Sequence, residues 1–383
     1  MIRVALFQRV VPEYRVGIFS LLARQPGIQL TIYSGSFAER PAGAICRGAG
    51  TIRLGPFRLD LRPLIAMLLH HHDVIICEGR ISLLTSVILA LVGTTIRRPC
   101  IWWTSLHRAD GVIAPRGGVA GWLTRLALRC AGAVLTYGTL AAEAARTSGV
   151  SPDRIHVACN ALDTDRLGEV EKSWRSPPER LAEFQKARDL HGRRVILYVG
   201  RLVPQKRALW LIDALDRLRR LPGGADVRLV IMGDGPERTH IVDAARAKHL
   251  QEFILFTGEI RDPAESCPYF LSARVLALPG TGGLAINHAM TFGVPVVVSG
   301  GDGTERDSIE EGVNGHIVAP PDPEVFTDRL RGVLQAEESK WRKMAEAAGA
   351  TAKGRINARA MVRSMNEAIH SIAARPPLSK SHG

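Results

Sequence analysis

Long apolar runs are absent from this chain of 383 residues, and their absence argues against a membrane-spanning protein. The most apolar segment, residues 81–96, is interrupted by serine and threonine and falls short of the roughly 20 residues that cross a bilayer, so we interpret it as a buried helix. The N-terminal sequence MIRVALFQRV is too short and too interrupted for the apolar part of a signal peptide, and it predicts a first buried strand. We therefore expect a cytoplasmic protein.

Cysteine is scarce and is spaced for neither disulfides nor metal binding. The six cysteines include no CxxC pair, and most lie in apolar runs typical of buried thiols. Three consecutive histidines, His70, His71 and His72, point in different directions at a helix end, which disfavours a shared metal ion. The sequence predicts a reduced protein without a metal.

Lysine is absent from the first 165 residues, although the whole chain carries a formal net charge of +13. That part contains 18 arginines and 10 acidic residues, so its positive charge comes from arginine alone. Such a surface fits nucleic acid, an anionic membrane or a phosphorylated substrate. Because no zinc-finger, RRM or helix-turn-helix pattern is present, we expect no nucleic-acid partner.

The pattern of apolar runs indicates the fold class. Hydrophobic residues make up 46% of the chain, enough for a large core, and the length favours two domains. Apolar runs alternate with amphipathic helical patterns, which predicts an α/β fold with two Rossmann-like, doubly wound parallel-sheet domains facing across a cleft. The predicted strands are 3–7, 29–33, 74–77, 100–103 and 133–136 in the first series, then 195–199, 227–232, 254–256, 275–278 and 294–298 in the second.

The same pattern sets the domain boundaries. We expect an N-terminal domain over 1–165, a linker over 166–192, a C-terminal domain over 193–355, and a C-terminal helix and tail over 356–383 that packs back on the first domain. Trp102 and Trp103 are both predicted to be buried, because a parallel sheet is covered on both faces. Ligands of such sheets bind at the carboxyl ends of the strands, so the segments that follow strands are the ones to inspect.

The first motif of the second domain combines cations with a strand end. YVGRLVPQK places Gly200 and Arg201 directly after a strand and Lys206 at the start of a helix. Two cations and backbone amides in that position can hold a diphosphate and stabilise the negative charge that it develops as a leaving group. A solvated basic turn has the same pattern, so this motif alone leaves both interpretations open.

Three glycine motifs follow the next strands. In MGDGPE, Gly233 and Gly235 allow a tight turn before a helix, which by itself is an ordinary strand-to-helix connection. FTGEI carries Gly258, and PGTGGLAINHAM brings Gly282 and Gly283 to a helix N-terminus, where amides can approach phosphate. This last loop is neither a Walker loop nor GxGxxG. The ordered set of four motifs favours a nucleotide diphosphate site over four unrelated turns.

With these motifs in order, followed by FGVPVV and EEGVNGHIV, the chain resembles the GT-B glycosyltransferases, specifically the retaining glycosyltransferase family 4. The resemblance covers nearly the whole chain and is most specific in the C-terminal half. It implies a C-terminal domain that binds a UDP- or GDP-linked sugar, an N-terminal domain that shapes the acceptor site, and transfer with retention. Arg201 and Lys206 match the positions that bind donor phosphates, so no metal or other cofactor is implied. The implied donor-binding residues are Gly200, Gly233, Gly258, Gly282, Gly283, Leu284 and His288.

The chain departs from the family around the glycine loop. Family members usually carry a pair of glutamates there, one near the donor sugar and one near the ribose, and these positions are Gly280 and His288 here. A histidine can bond a ribose hydroxyl, but a glycine offers the sugar no side chain. Asp302, Glu305 and Asp307 in GGDGTERD are candidates for the missing carboxylate.

Candidates in the N-terminal domain also follow strands. PEYR places Glu13 and Arg15 at the expected cleft rim, where Arg15 either contacts phosphate or acceptor or forms a surface pair with Glu13. CEGR contributes Glu78, either an acceptor-side residue or a residue with a helix-capping or loop role. WWTSLHR contributes His107, which resembles the family's active-site histidine of this domain or is a hydrogen-bonded loop residue.

Two arginine-flanked apolar segments bear on membrane contact. Residues 58–67 and GWLTRLALR, with Trp122 beside Arg125 and Arg129, either lie on anionic lipid or pack their apolar side on the sheet. The arginine-only charge of this domain suits a lipid diphosphate acceptor at the inner face of the plasma membrane.

The sequence therefore predicts a retaining, hexosyltransferase-like enzyme of polysaccharide biosynthesis that extends a lipid-linked or other surface glycan, peripheral to the membrane. The alternative is a catalytically silent GT-B subunit that binds a nucleotide or a partner enzyme. The missing glutamate pair supports the silent subunit, whereas Arg201 and Lys206 favour the enzyme. A Rossmann oxidoreductase is disfavoured because its GxGxxG fingerprint is absent.

Overall fold

The computed structural model describes residues 1–69, 71–93, 99–106, 117–301 and 303–373. The chain divides by internal packing into two units. The first unit comprises Met1–Asp163 together with the chain from Ala358 onward, and the second unit is Thr164–Asn357.

The first unit is built on a parallel sheet of seven strands in the order β3-β2-β1-β6-β7-β8-β9. Strand order reverses between β1 and β6, which defines a topological switch point. A short antiparallel hairpin, β4–β5, lies outside this sheet. The elements are β1 Ile2–Gln8, α1 Glu13–Ala23, β2 Ile28–Ser34, β3 Ile45–Gly48, β4 Thr51–Leu54, β5 Phe57–Asp60, α2 Leu61–Leu68, β6 Val74–Glu78, α3 Leu84–Gly93, β7 Cys100–Thr104, α4 Gly118–Cys130, β8 Ala133–Thr136, α5 Thr139–Thr147 and β9 Ile155–Val157.

The central strands of this sheet are buried on both faces, as expected for parallel strands between two helical layers. All five residues of β7 are buried. Trp102 packs into the cluster on one face, with Phe7 and Leu89, and Trp103 into the cluster on the other face, with Phe19. The prediction that both tryptophans belong to the core is confirmed.

The second unit has a six-stranded parallel sheet in the order β12-β11-β10-β13-β14-β15, with its switch point between β10 and β13. Its elements are α6 Thr164–Arg175, α7 Pro178–Lys186, β10 Arg194–Val199, α8 Trp210–Arg220, β11 Val227–Met232, α9 Arg238–Ala247, β12 Ile254–Gly258, α10 Pro263–Ser272, β13 Ala273–Leu278, α11 Leu284–Thr291, β14 Val296–Ser299, α12 Glu305–Ser308, β15 Gly315–Val318, α13 Pro323–Leu334 and α14 Glu338–Gly354.

The last helix, α15 (Ala358–Ala373), returns to the first unit. It packs on α1, β8 and β9. Met361, Met365, Ile369 and Ile372 lie on its buried face at helical spacing and close one side of the core. Helix α15 is therefore part of the core of the first unit.

The predicted α/β fold class with two parallel sheets is confirmed, and each of the ten predicted strands has a counterpart. The prediction of a linker over 166–192 is corrected, because α6 and α7 occupy most of this range and pack within the second unit. Trp174 Nε1 donates to the carbonyl of Ala264 (2.7 Å), and the ring of Phe184 meets that of Tyr269 edge to face at 4.9 Å. These aromatic contacts anchor helices whose sequence is otherwise polar.

Within the described ranges, none of the helices combines the length and the apolar character that crossing a membrane requires.

Candidate functional site

The end of β10 positions the first cationic motif. Tyr198 Oη donates to the carbonyl of Arg201 (3.0 Å), which holds the backbone where the strand ends, while the Arg201 side chain is exposed. Burial raises the pKa of Tyr198, so its hydroxyl stays protonated for this bond. Residues Pro204–Lys206 then form a single 3₁₀ turn.

Lys206 connects this turn to the glycine loop that follows β13. Its Nζ donates to the carbonyl of Thr281, and Arg207 Nη1 lies 3.5 Å from the carbonyl of Pro279. Because β10 and β13 are neighbours at the switch point, segments more than seventy residues apart in sequence meet at one sheet edge. The predicted combination of a cationic turn and a glycine loop therefore exists in the structure.

The glycine loop leads into α11 through a residue with positive φ. Gly283, at φ 60°, is the N-cap, and α11 begins at Leu284. The first N–H groups of a helix have no intrahelical acceptor, and the helix dipole makes this end partly positive. With the ammonium group of Lys206 beside the loop, the N-terminus of α11 can hold an anion.

Glu305 supplies a carboxylate to this loop. It begins α12, is 3% exposed, and accepts hydrogen bonds from Gly282 N (3.3 Å) and Gly303 N (2.8 Å). Of the three acidic candidates, Glu305 is thus placed at the glycine loop, whereas Asp307 is buried two positions further on and Asp302 lies outside the described residues. From the first turn of α12, the carboxylate thus holds the backbone of the glycine loop in place.

Gly280 has no space for a side chain. A Cβ built on it would overlap the carbonyl oxygen of Gln205 and lie 2.8 Å from the Cα of Lys206. The 3₁₀ turn therefore packs directly on the backbone of Gly280, where a glutamate of the family would need room.

The glycines at the ends of β10, β11 and β12 allow the backbones to approach each other closely. Gly200 N donates to the carbonyl of Met232 (3.0 Å), and Gly233 N donates to that of Gly258 (2.8 Å). At Gly233, φ is +141° and a Cβ would overlap the carbonyl oxygen of Gly200. Gly200, Gly233 and Gly258 are thus brought together as predicted, but the amides of Gly200 and Gly233 are already bonded to the neighbouring strand ends.

His288 differs from its prediction. Its ring lies among apolar rings, 4.2 Å from that of Phe270 and 5.3 Å from that of Phe292. Burial lowers the pKa of His288 to about 4, and its buried Nε2 has no hydrogen-bond partner. The predicted bond to a ribose hydroxyl does not fit this position of Nε2, because α11 turns the ring toward α10, where the residue is partly buried.

Arg15 also differs from its prediction. It is 3% exposed, its guanidinium carbon lies 4.4 Å from the centre of the Trp103 ring, and Nη2 donates to Tyr137 Oη (3.0 Å). Nη1 lies 3.7 Å from the sulfur of Met361 in α15. Because α15 covers this position, Arg15 belongs to the packed interior of the first unit rather than to a rim, and the predicted surface pair with Glu13 is wrong. Glu13 itself is exposed at the start of α1.

Glu78 ends β6, beside β1, at the switch point of the first sheet. Its carboxylate accepts a hydrogen bond from Arg9 N (3.1 Å) and pairs with Arg80 Nε (3.1 Å). These contacts join the loops that follow the two strands, which fits the loop role that the sequence allows for Glu78. His107 lies outside the described residues.

The histidine tract is divided by burial. His72 is buried and its Nε2 lies 3.1 Å from Tyr33 Oη, His71 is exposed, and His70 lies outside the described residues. Burial, reinforced by neighbouring positive groups, lowers the pKa of His72 to about 4. Among the residues that the structure describes, no group of three or more His, Cys, Asp or Glu is arranged to hold a metal ion.

Solved structures with this architecture define its class. HepE of Anabaena in complex with UDP-glucose matches with a TM-score of 0.70 at 17% identity, over 97% of this chain and all of that one. A glycosyltransferase of Rickettsia africae matches with a TM-score of 0.75 at 14% identity, over 98% and 99% of the two chains. The fold is that of the GT-B glycosyltransferases.

Sequence comparison places the second unit more narrowly. Residues 193–336 match the family model of glycosyl transferases group 1. The alpha-D-kanosaminyltransferase of Streptomyces kanamyceticus is 30% identical over 234 residues, 60% of this chain and 57% of that protein. A GDP-mannose-dependent alpha-(1-6)-phosphatidylinositol monomannoside mannosyltransferase of Mycolicibacterium smegmatis is 30% identical over 266 residues, 64% of each chain. The chain thus spans less than two thirds of the length of either relative.

Proposed function

We propose that this protein is a retaining glycosyltransferase of family 4 that transfers a sugar from a UDP- or GDP-linked donor to a lipid-linked or other glycan acceptor. We place it in cell-surface polysaccharide assembly, at the cytoplasmic face of the plasma membrane. The observation that carries the proposal is the meeting of Lys206, the glycine loop and the N-terminus of α11 at the switch point of the second sheet.

This arrangement suits departure of a nucleoside diphosphate. When the bond between the anomeric carbon and the phosphate oxygen breaks, its electron pair leaves with the diphosphate, which gains negative charge. The ammonium group of Lys206, the guanidinium group of Arg201 and the N-terminal amides of α11 favour that charged state. The bond from Lys206 Nζ to the carbonyl of Thr281 fixes the cation beside the loop before any ligand binds. The proposal needs no metal because these groups supply the positive charge.

The relatives support a nucleotide-sugar donor and a lipid acceptor. One relative is named for its dependence on GDP-mannose and for its acceptor, a phosphatidylinositol monomannoside. HepE was crystallised with UDP-glucose and with UDP. The positive charge of residues 1–165, which comes from arginine alone, fits an anionic lipid acceptor such as the one that this relative is named for.

The test is nucleotide release from a panel of UDP-, GDP- and dTDP-linked sugars, with a membrane extract as the source of acceptor. We expect one donor to be turned over and Lys206→Ala to lower kcat by roughly 100-fold, as loss of a charge-stabilising group does. Lys340→Ala, at an exposed position of α14, is the matched control and should leave the rate unchanged. The anomeric configuration of the product, read by NMR, tests retention.

A silent nucleotide-binding subunit is the second candidate, and Gly280 favours it. The position that carries a glutamate in the family has neither a side chain nor space for one. Nucleotide binding by calorimetry, without Lys206-dependent turnover of any donor in the presence of the extract, would decide for this candidate and against the enzyme.

A further inference from the structure

Exposed apolar side chains are concentrated in the first unit. Among the described residues, sixteen large apolar side chains are exposed, and fourteen of them lie in the first unit. Ten of the fourteen come from the β4–β5 hairpin, α2 with its C-cap residue Leu69, α3 and α4. They are Ile52, Leu54, Phe57, Leu61, Ile65, Leu68, Leu69, Ile88, Val119 and Trp122.

The outward face of α2 shows that this exposure is patterned. Leu61, Ile65 and Leu68 repeat at helical spacing on the solvent side, whereas Ala66 and Met67 on the opposite side are buried. An amphipathic surface helix normally places polar residues on its solvent side. Here both sides are apolar, with Leu68 60% exposed and Leu69 59% exposed.

The hairpin and the neighbouring helices continue this face. Leu54 lies directly opposite Phe57 in the antiparallel pair, and Ile52 lies on the same side of the ribbon. Strand β5 and helix α2 both pack beside α3, and α3 packs beside α4. Val119 and Trp122 are one turn apart on α4, and Trp122 is 57% exposed. The four elements thus form one continuous layer of the first unit.

The charge of the same elements is positive. Residues 51–69, 84–93 and 118–130 contain five arginines and a single acid, Asp60, which is fully buried and holds Arg58 at 2.9 Å. Arg53, Arg62 and Arg129 are exposed. Arginine is attracted to the head groups of an anionic bilayer, and exposed leucine, phenylalanine and tryptophan insert among the lipid head groups.

We propose that the β4–β5 hairpin and the outer sides of α2, α3 and α4 form a docking surface for an anionic lipid bilayer. The proposal assigns a surface to the membrane location given above, and it does not depend on sugar transfer. A second copy of the chain is the weaker occupant, because a symmetric pair would bring the same arginines of both copies together without acidic partners.

Vesicle sedimentation tests the surface with the full chain and without donor. We expect binding to phosphatidylcholine vesicles that contain phosphatidylglycerol, weak binding to pure phosphatidylcholine, and release at high salt. The double variant Leu68→Gln, Leu69→Gln should bind about tenfold more weakly, because less apolar surface enters the lipid. The double variant Val313→Gln, Val325→Gln is the matched control, since these are exposed apolar residues of the second unit.

The double variant Arg53→Gln, Arg129→Gln tests the role of charge. It should reduce both the affinity for anionic vesicles and the dependence of that affinity on salt. Circular dichroism of each variant checks the fold. Absence of wild-type binding at low salt, or equal loss in the control variant, would overturn the proposal. A second outcome would also overturn the proposal: the natural chain is a dimer in sedimentation velocity, the Leu68→Gln, Leu69→Gln variant is a monomer, and neither binds vesicles. The surface would then be assigned to a second copy of the chain. Donor turnover is measured separately, so failure here leaves the proposed function standing.

Discussion

At the scale of single residues, Gly280 is where backbone packing and chemistry compete. Its Cα faces the backbone of the turn that carries Lys206, so a side chain there has to displace the turn. We predict that Gly280→Ala weakens nucleotide binding and lowers the free energy of unfolding by roughly 1–3 kcal/mol, as overpacking does. Gly280→Glu should fail to raise donor turnover for the same reason.

The control for Gly280 is another glycine of the same unit. A Cβ at Gly332 in α13 meets nothing within 4 Å, so Gly332→Ala should be neutral or stabilise the helix by up to about 1 kcal/mol. Nucleotide binding by calorimetry and urea unfolding measure both variants. A Gly280→Glu variant that is more active than the natural chain would contradict the packing argument and show that the position lacks only its acid.

His288 makes the stability of the folded protein depend on pH. Its pKa is about 4 in the folded chain and about 6.5 when unfolded, so the unfolded state takes up a proton first as the pH falls. The contribution of the neutral ring is therefore present above about pH 6.5 and is lost progressively toward pH 4. We predict that, as the pH falls from 7 to 5, the free energy of unfolding of His288→Phe rises by about 2 kcal/mol relative to that of the natural chain, as measured by urea unfolding.

His240→Gln, at an exposed histidine of α9, is the matched change and should leave the pH dependence as it was. Parallel pH profiles for the natural chain and His288→Phe would refute a buried neutral imidazole at this position.

Residue positions were predictable where they depend on the neighbouring sequence. Lys206 and the glycine loop follow strands, and each strand end was visible as the end of an apolar run. The roles of His288 and Arg15 were predicted wrongly because they depend on distant partners. Arg15 is covered by Met361, 346 residues away, and nothing in the local sequence PEYR indicates that contact.

At the scale of elements, three of the five missed strands share a physical feature. Strands β3, β9 and β15 are edge strands, which have a neighbour on one side only. None of the residues of β3 or β9 is fully buried, so neither strand has the apolar run that revealed the central strands. The β4–β5 hairpin was missed for a different reason: its apolar residues are exposed and belong to no core.

The order of the strands could not be predicted from the sequence either. The apolar runs predict parallel strands, but the reversal between β10 and β13 depends on which crossover connections pack together. That order makes the turn of Lys206 and the loop of Thr281 neighbours. The site could therefore be predicted as a set of motifs, whereas its geometry could not.

At the scale of the whole molecule, the second unit begins earlier than its sequence suggests. Leu167 of α6 is buried, and Trp174 and Phe184 pack toward α10. The polar surface of α6 and α7 concealed this because few of their residues are buried. Residues 164–192 are consequently part of the domain that carries the glycine loop.

This division predicts how fragments behave. A fragment of residues 164–357 should fold alone, unfold cooperatively in urea and bind nucleotide, because its sheet and covering helices are complete. A fragment of residues 193–357 should be less stable by about 3 kcal/mol or more, since removing α6 and α7 deletes Phe184 and leaves Tyr269 without its aromatic partner. Equal stability of the two fragments would restore the linker interpretation, because α6 and α7 would then contribute no packing to the second unit.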